Sequence, residues 1–365
     1  MTQKKIHRIG ILTSGGDCPG LNAVIRAVTK KAILKYGYEV IGFKDGFEGL
    51  LFNRHQKLNE ADVSGILTLG GTILGTTNRA NPYKYPVENK GQVVYKDLSA
   101  KVVENLRKLK IDCLVCIGGD GTLSTAHRLS TQGVAVVGVP KTVDNDVMGT
   151  DITFGFDTAV HIATEALDRL HTTAESHHRI MILEVMGRTA GWIALYAGTA
   201  GGGDVILIPE IPYDVNLIAQ KIKARRKNGK NFSILVVAEG AVSLGGKVTV
   251  QRMVADGSEP IRLGGVSFVI GQALEKLTGI ETRNVVLGHL QRGGSPSAFD
   301  RILGTQLGAK AVDFIAQGEF GCMVGVKDNH FVKVPLSKVA VGSRRVPVNH
   351  SLIQDARELG TCFGD

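Results

Sequence analysis

Apolar residues follow two rhythms along this chain, and the two alternate almost from end to end. The runs RIGILT, EVIGF, CLVCIG, VAVVGV, RIMILEV, DVILIP, FSILVVAEG and NVVLG are short, β-branched and apolar at successive positions. That is the pattern of strands buried on both faces of a parallel sheet. Between them, LNAVIRAVTKKAILKYG, DLSAKVVENLRKLK, TLSTAHRLSTQG, DTAVHIATEALDRLHTTAESH and GGVSFVIGQALEKLTG carry helical spacing with recognisable ends. The alternation predicts an α/β, doubly wound fold, and 365 residues suit two such domains better than one core. The turn-rich TVDNDVMGTDITFG marks a first boundary and GHLQRGGSPSAFDR a second crossing. The segment 245–263 is polar and weakly periodic, a surface hairpin or loop.

Composition sharpens this picture only in places. Hydrophobic residues make up 43% and charged residues 21%, enough for a sizeable core and contrary to disorder. No apolar run reaches the ~20 residues of a membrane span. The basic N-terminus is followed by an apolar segment too short for a leader, and CFGD at the end does not fit a prenylation box. Five scattered cysteines suggest a reducing, cytoplasmic setting. Cys113 and Cys116 lie three apart in one strand, which points them to opposite faces and favours core packing over zinc. A net charge of +9 admits nucleic acid, a membrane surface or anionic metabolites. The run KIKARRKNGK has no interleaved aromatics and reads as a solvated helix face or an anionic effector site. A basic nucleic-acid-binding protein lacks support from any recognition helix or cluster of stacking aromatics.

Glycines account for 46 residues, many paired after apolar runs. In TSGGDCPGLNAVIRAV a strand meets a helix through Gly15 and Gly16, which lets an anion approach main-chain N–H groups at a helix start. The alternative is a tight turn with Asn22 near the helix start. In VCIGGDGTLSTAHRL, Asp120 stands where a carboxylate can hold magnesium through substrate phosphates, or else serves as a helix cap. Gly121 leaves room for a bulky nucleotide. In VGVPKTVDNDVMG, Thr142, Asp144 and Asp146 follow an apolar strand. Asp144 is the candidate base for a hydroxyl attacking phosphorus, with Asp146 orienting it or a metal. Arg179, Arg188, Arg283, His289 and Arg292 recur beside glycines and strand ends, as a phosphate cage requires, and Glu239 suits sugar hydroxyls.

With GGDCPGLNAVIR, GGDGTL, PKTVDNDV, EVMGR, ETRNVVLGH and QRGGSPSAFDR in order, the sequence resembles the 6-phosphofructokinases over nearly its whole length. GGDGT alone is shared with NAD and lipid kinases; the ordered set is specific. The resemblance implies two domains, residues 1–155 with 291–341 for the phosphoryl donor and 156–290 with 342–365 for the sugar phosphate, with the active site in the cleft between them. It implies transfer from ATP, with Mg2+, to the 1-hydroxyl of fructose 6-phosphate in a homo-oligomer, commonly a tetramer. Gly16, Arg79 and Gly119, Asp120, Gly121 and Thr122 are similar to donor contacts, with Asp120 near the metal; Arg79 is displaced by one residue from the family position. Thr142, Val143, Asp144, Asp146, Met186, Gly187, Arg188, Glu239, His289 and Arg292 are similar to sugar-phosphate contacts. Arg179 and Arg283 resemble residues that reach the site of a neighbouring subunit. Gly121 is the residue of ATP users and Lys141 that of pyrophosphate users. An aspartate at 121 would crowd and repel the nucleotide whereas a lysine attracts phosphates, so ATP is expected. The pyrophosphate-dependent version is the alternative. Lys30 and His171 stand where regulated relatives carry effector-binding arginines, which leaves regulation open.

Overall fold

The structure, a computed structural model, describes residues 6–89, 92–253 and 261–365. The first part runs through β1 (Arg8–Thr13), α1 (Leu21–Tyr36), β2 (Glu39–Phe43), α2 (Phe47–Phe52) and β3 (His55–Leu58). A hairpin of β4 (Tyr85–Asn89) and β5 (Gln92–Lys96) follows, then α3 (Ser99–Lys108), β6 (Cys113–Gly118), α4 (Asp120–Thr131) and β7 (Val136–Pro140). The second part holds α5 (Phe156–His177), β8 (Ile180–Val185), α6 (Trp192–Ala200), β9 (Val205–Leu207), α7 (Val215–Lys227) and β10 (Ser233–Ala238). A short hairpin, β11 (Val250–Met253) and β12 (Ile261–Leu263), precedes α8 (Val266–Thr278) and β13 (Thr282–Val286). The chain returns through α9 (Ala298–Ala316), β14 (Cys322–Lys327), β15 (His330–Pro335), α10 (Leu336–Val339) and α11 (Ser351–Glu358).

Two sheets carry this α/β fold. The larger has seven strands in the order β15-β14-β7-β6-β1-β2-β3, parallel except at its two outer pairs. The smaller, β13-β8-β10-β9, is parallel throughout. Helices cover both faces of each, because alternate residues of the strands are apolar on both sides. In β8, Met181, Leu183 and Val185 join the core shared with α5 and α6, while Ile180 and Ile182 join one shared with α7 and α8. The first of these cores continues under the large sheet through α1 and α9, so one apolar layer links both sheets. Cys113 and Cys116 fall in different cores on opposite faces of β6, as their spacing implies, and every cysteine is a free thiol.

The apolar rhythm locates β1, β2 and β6 to the residue, but it passes over α9. That helix is apolar or small almost all round, so no polar stripe marks it. Its glycines explain its place: a Cβ at Gly304 or Gly308 would lie 3.1 Å or 2.8 Å from main-chain oxygens at Gly20 and Val24, so α9 and α1 pack backbone to backbone. The hairpin β14–β15 was likewise unmarked by the apolar runs. Asp328 and Asn329 at its turn both have positive φ, as a two-residue type I′ turn demands, and that Asp-Asn pair was a usable signal. The expected hairpin in segment 245–263 is present as β11–β12, with residues 254–260 outside the described set. Among the described residues no helix is long and apolar enough to cross a membrane.

Candidate active site

In an open parallel sheet, ligands bind beyond the carboxyl ends of the strands, where the strand order reverses. The large sheet reverses between β1 and β6. The loop after β1 is pinned there: Ser14 N–H donates to the Ile117 carbonyl (3.0 Å) and Gly15 N–H to the Thr77 carbonyl (3.1 Å). Thr13 Oγ1 donates to the Gly75 carbonyl (2.7 Å), so the segment leading to exposed Arg79 is drawn alongside. Asn22 does not cap α1; its amide holds the Leu69 and Gly70 carbonyls and its oxygen takes Ile73 N–H. A Cβ at Gly16 would lie 2.8 Å from Arg292 Nη1, which itself donates to the Asp17 carbonyl (2.9 Å). Glycine at 16 therefore lets the Arg292 guanidinium lie flat against the loop.

Beyond β6, Asp120 opens α4 rather than capping it, since Gly119 is the cap residue. Its Oδ1 accepts from Gly121 N–H (2.7 Å) and its Oδ2 lies 3.5 Å from Arg188 Nη1. Nothing lies within 4 Å of where a Cβ at Gly121 would stand, so this edge is open. Thr122 is buried beneath it, against Gly118. Past β7, Lys141 is buried and its ammonium donates to the Gly16 carbonyl. Burial holds its pKa below the usual lysine range.

The turn after Lys141 gathers Thr142, Asp144, Asn145 and Asp146, all buried. Thr142 Oγ1 accepts from Asp144 N–H (3.1 Å) and donates to Asp144 Oδ2 (3.4 Å). Asn145 is left-handed, with φ of 51°, which asparagine tolerates. Its side chain locks the turn to Asp151 and Thr153. The Val143 side chain is fully buried in the core, so only its main chain can face a ligand. Burial, then the charges of Asp144 and Asp120, push the Asp146 carboxyl up to about 7.

The small sheet supplies the facing wall from the carboxyl ends of β8 and β10. After β8, Met186 is half-buried, Gly187 buried, and Arg188 adopts φ of 53°, a strained value for arginine. Glu239, after β10, holds that conformation by accepting Arg188 N–H at 3.0 Å. Burial, followed by the charge of Asp144, pushes the Glu239 carboxyl up to about 7. His289 is exposed on the 3-10 turn Gly288–Arg292 that follows β13.

Arg179 and Arg283 are not part of this gathering. Arg179 precedes β8 and Arg283 is the second residue of β13, at the amino ends of strands whose carboxyl ends carry Arg188 and His289. Six residues of β8 separate Arg179 from the Arg188 loop by roughly 20 Å. Both arginines hold Glu281, Arg179 Nε at 2.5 Å. Among the effector candidates, His171 places Nε2 2.7 Å from the Gly201 carbonyl and packs against Phe232. In the basic helix α7, Arg225 is paired with Asp204 at 2.7 Å.

One contributor went unseen in the sequence. Arg344 binds the Asn145 and Asp146 carbonyls and lies over the ring of Trp192, the one tryptophan of the chain. A basic pair between glycine and proline, far from any strand end, gives no chemical cue; only the tertiary fold brings it here.

A family model for phosphofructokinase matches residues 8–315. The chain is 56% identical over 362 residues to ATP-dependent 6-phosphofructokinase 2 of Clostridium perfringens, covering 99% of both. It is 49% identical over 366 residues to the ATP-dependent 6-phosphofructokinase of Spirochaeta thermophila, covering 100% of both. Among solved structures it is similar to the Pichia pastoris phosphofructokinase in the T-state, with a TM-score of 0.79 and 30% identity; 98% of this chain spans 37% of that one. Motif order, two sheets whose parallel strands meet at their carboxyl edges, and full-length identity to these proteins agree that the chain belongs to the phosphofructokinase family.

Proposed function

We infer that this chain is an ATP-dependent 6-phosphofructokinase, moving the γ-phosphoryl group of ATP to the 1-hydroxyl of fructose 6-phosphate. The carrying observation is the meeting of Asp120, Asp144 and Asp146 from the large sheet with Arg188 and Glu239 from the small one. The donor side is residues 1–155 with 291–341, and the sugar side 156–290 with 342–365. Open space at Gly121 supports a nucleotide donor, and the Lys141 ammonium, bonded to the Gly16 carbonyl, adds positive charge without closing that space. Gly16, Gly119 and Thr122 frame the donor phosphates, with Arg79 beside them.

Asp144 accepts the proton of the attacking hydroxyl, oriented by its hydrogen bond from Thr142. His289 and Arg292 complete the phosphate pocket, and Met186, Gly187, Arg188 and Glu239 contact the sugar. Among the described residues no group of three or more ligating side chains forms a ready metal site. Asp120 and Asp146 fit Mg2+ all the same, because this ion takes one or two carboxylates and completes its shell from phosphates and water. Their crowding, visible in the raised Asp146 carboxyl, is what a cation relieves. When bound, Mg2+ would neutralise charge on the donor phosphates.

Arg179 and Arg283, at the far edge of the small sheet, serve the sugar phosphate of a neighbouring subunit in a homotetramer. The setting is cytoplasmic glycolysis. A coupled assay with fructose 6-phosphate tests the reading by comparing ATP, ADP and pyrophosphate. ATP turnover is expected; robust turnover with pyrophosphate and none with ATP overturns the donor, and none with any overturns the reading.

A further inference from the structure

We propose that Arg344 is a positioning residue for phosphoryl transfer, fixing the turn that carries Asp144 and Asp146 against the wall that carries Arg188. The inference rests on the functional reading above. The segment from Ser343 to Val346 lies between the two halves of the site and bonds to both. On the large-sheet side, Ser343 makes an antiparallel bridge with Val147. The main-chain N–H of Arg344 donates to the Asp146 carbonyl at 2.6 Å, and its Nη1 donates to the Asn145 carbonyl at 3.0 Å. These carbonyls belong to the left-handed residue of the turn and to the residue after it, where a change of peptide orientation would swing both carboxylates.

On the small-sheet side, the Arg344 guanidinium lies over the Trp192 ring, 4.0 Å from its centroid. The indole Nε1 donates back to the Arg344 carbonyl at 3.3 Å. Trp192 opens α6, directly after the loop that bears Arg188. Glu210 ties the same junction, taking Gly191 N–H at 3.0 Å and Val346 N–H at 2.9 Å. The one side chain of Arg344 thus touches both the acidic turn and the helix behind Arg188.

The chemistry requires arginine. A guanidinium can stack its face on an indole while donating in its own plane, and a charge-assisted bond to a carbonyl exceeds a neutral one. Lysine offers a point charge and cannot do both. The adjacent Arg345 is exposed, which makes it the matched control.

The test measures kcat and both KM values for Arg344→Met, Arg344→Lys and Arg345→Met, each alone and combined with Asp144→Ser. Arg344→Met should lower kcat at least about tenfold while both KM values stay within about twofold. Arg344→Lys should fall between it and the unmodified protein, by about threefold, and Arg345→Met should change nothing. If Arg344 acts through the turn, its loss should cost little more once Asp144 is gone, so the double variant should resemble Asp144→Ser alone. The emission of Trp192, the one indole, should move in Arg344→Met and not in Arg345→Met. Unchanged kcat in Arg344→Lys or Arg344→Met, or losses that multiply in the double variant, would overturn the proposal. Should Arg344→Met not fold, the lysine variant carries the same comparison. A parent protein inactive toward fructose 6-phosphate would instead overturn the functional reading.

Discussion

The two ends of the small sheet use arginine against carboxylate in opposite ways. At the carboxyl ends of its strands, Arg188 reaches Asp120 with its guanidinium and Glu239 with its main-chain N–H beside the buried Asp144 and Asp146, and the carboxyls of Glu239 and Asp146 are pushed upward. At the amino ends, Arg179 and Arg283 converge on Glu281, whose carboxyl is held below its usual range by hydrogen bonding from Arg179 and by both cations. One edge crowds buried carboxyls together, and the other sets two arginines on a single carboxylate at the surface, which leaves one positive charge in excess. The first is built to receive cations and protons. The second keeps a cation to spare for an anion, and within one chain it lies too far from the first to share a ligand.

Three measurements can break or sharpen that contrast. The largest effect belongs to the crowded edge: Asp144→Ser should retain fructose 6-phosphate binding while kcat falls at least about a hundredfold. An unchanged kcat would remove Asp144 from the chemistry. At the paired edge, Arg283→Ala should raise KM for the sugar phosphate about tenfold with kcat nearly constant. If that arginine serves a neighbour, co-refolding Arg283→Ala with Asp144→Ser should also recover activity beyond the sum of the two. A KM that does not move would leave Arg283 with Glu281 alone.

The smallest effect is on stability and follows from burial of like charges. Asp146 titrates near 7 when folded and near 4 when unfolded. Between those values the folded chain keeps a proton that the unfolded chain has lost. The stability associated with this group is therefore full below about 4, falls as pH rises, and is lost above about 7. Asp146→Asn should raise the melting temperature by about 2 °C more at pH 8 than at pH 5. Equal gains at both pH values would show that the carboxyl carries no penalty.

Much of this contrast was legible before any fold was known. Arg179 opens the run RIMILEV and Arg188 follows it, so a strand there already sends them to opposite edges. The strand ends bearing Asp120, Asp144 and Glu239 follow from the same apolar runs, because parallel strands put all their carboxyl ends on one side. Two kinds of information were missing. Helix α9 hides its identity because its apolar residues are spread round the helix, Phe299 and Ile302 even on its exposed side, and β15 is too exposed to show a continuous apolar run. Arg344 lacks any local signature, since its partners lie some two hundred and one hundred and fifty residues earlier in the chain. Periodicity encodes which face of an element is buried; it does not encode which distant loop a side chain will reach.

The return of β14 to the large sheet governs how the polypeptide can be made. Its parallel neighbour β7 is buried along its length and apolar, and it gains that neighbour only after the chain has traversed the whole of the smaller sheet. During synthesis, β7 must wait as an unprotected apolar border until about residue 327 has left the ribosome, which is when a slow, non-local closure becomes available. A nascent chain stalled before that point would present an adhesive strand to its neighbours, so early interruption of translation exposes this protein to aggregation.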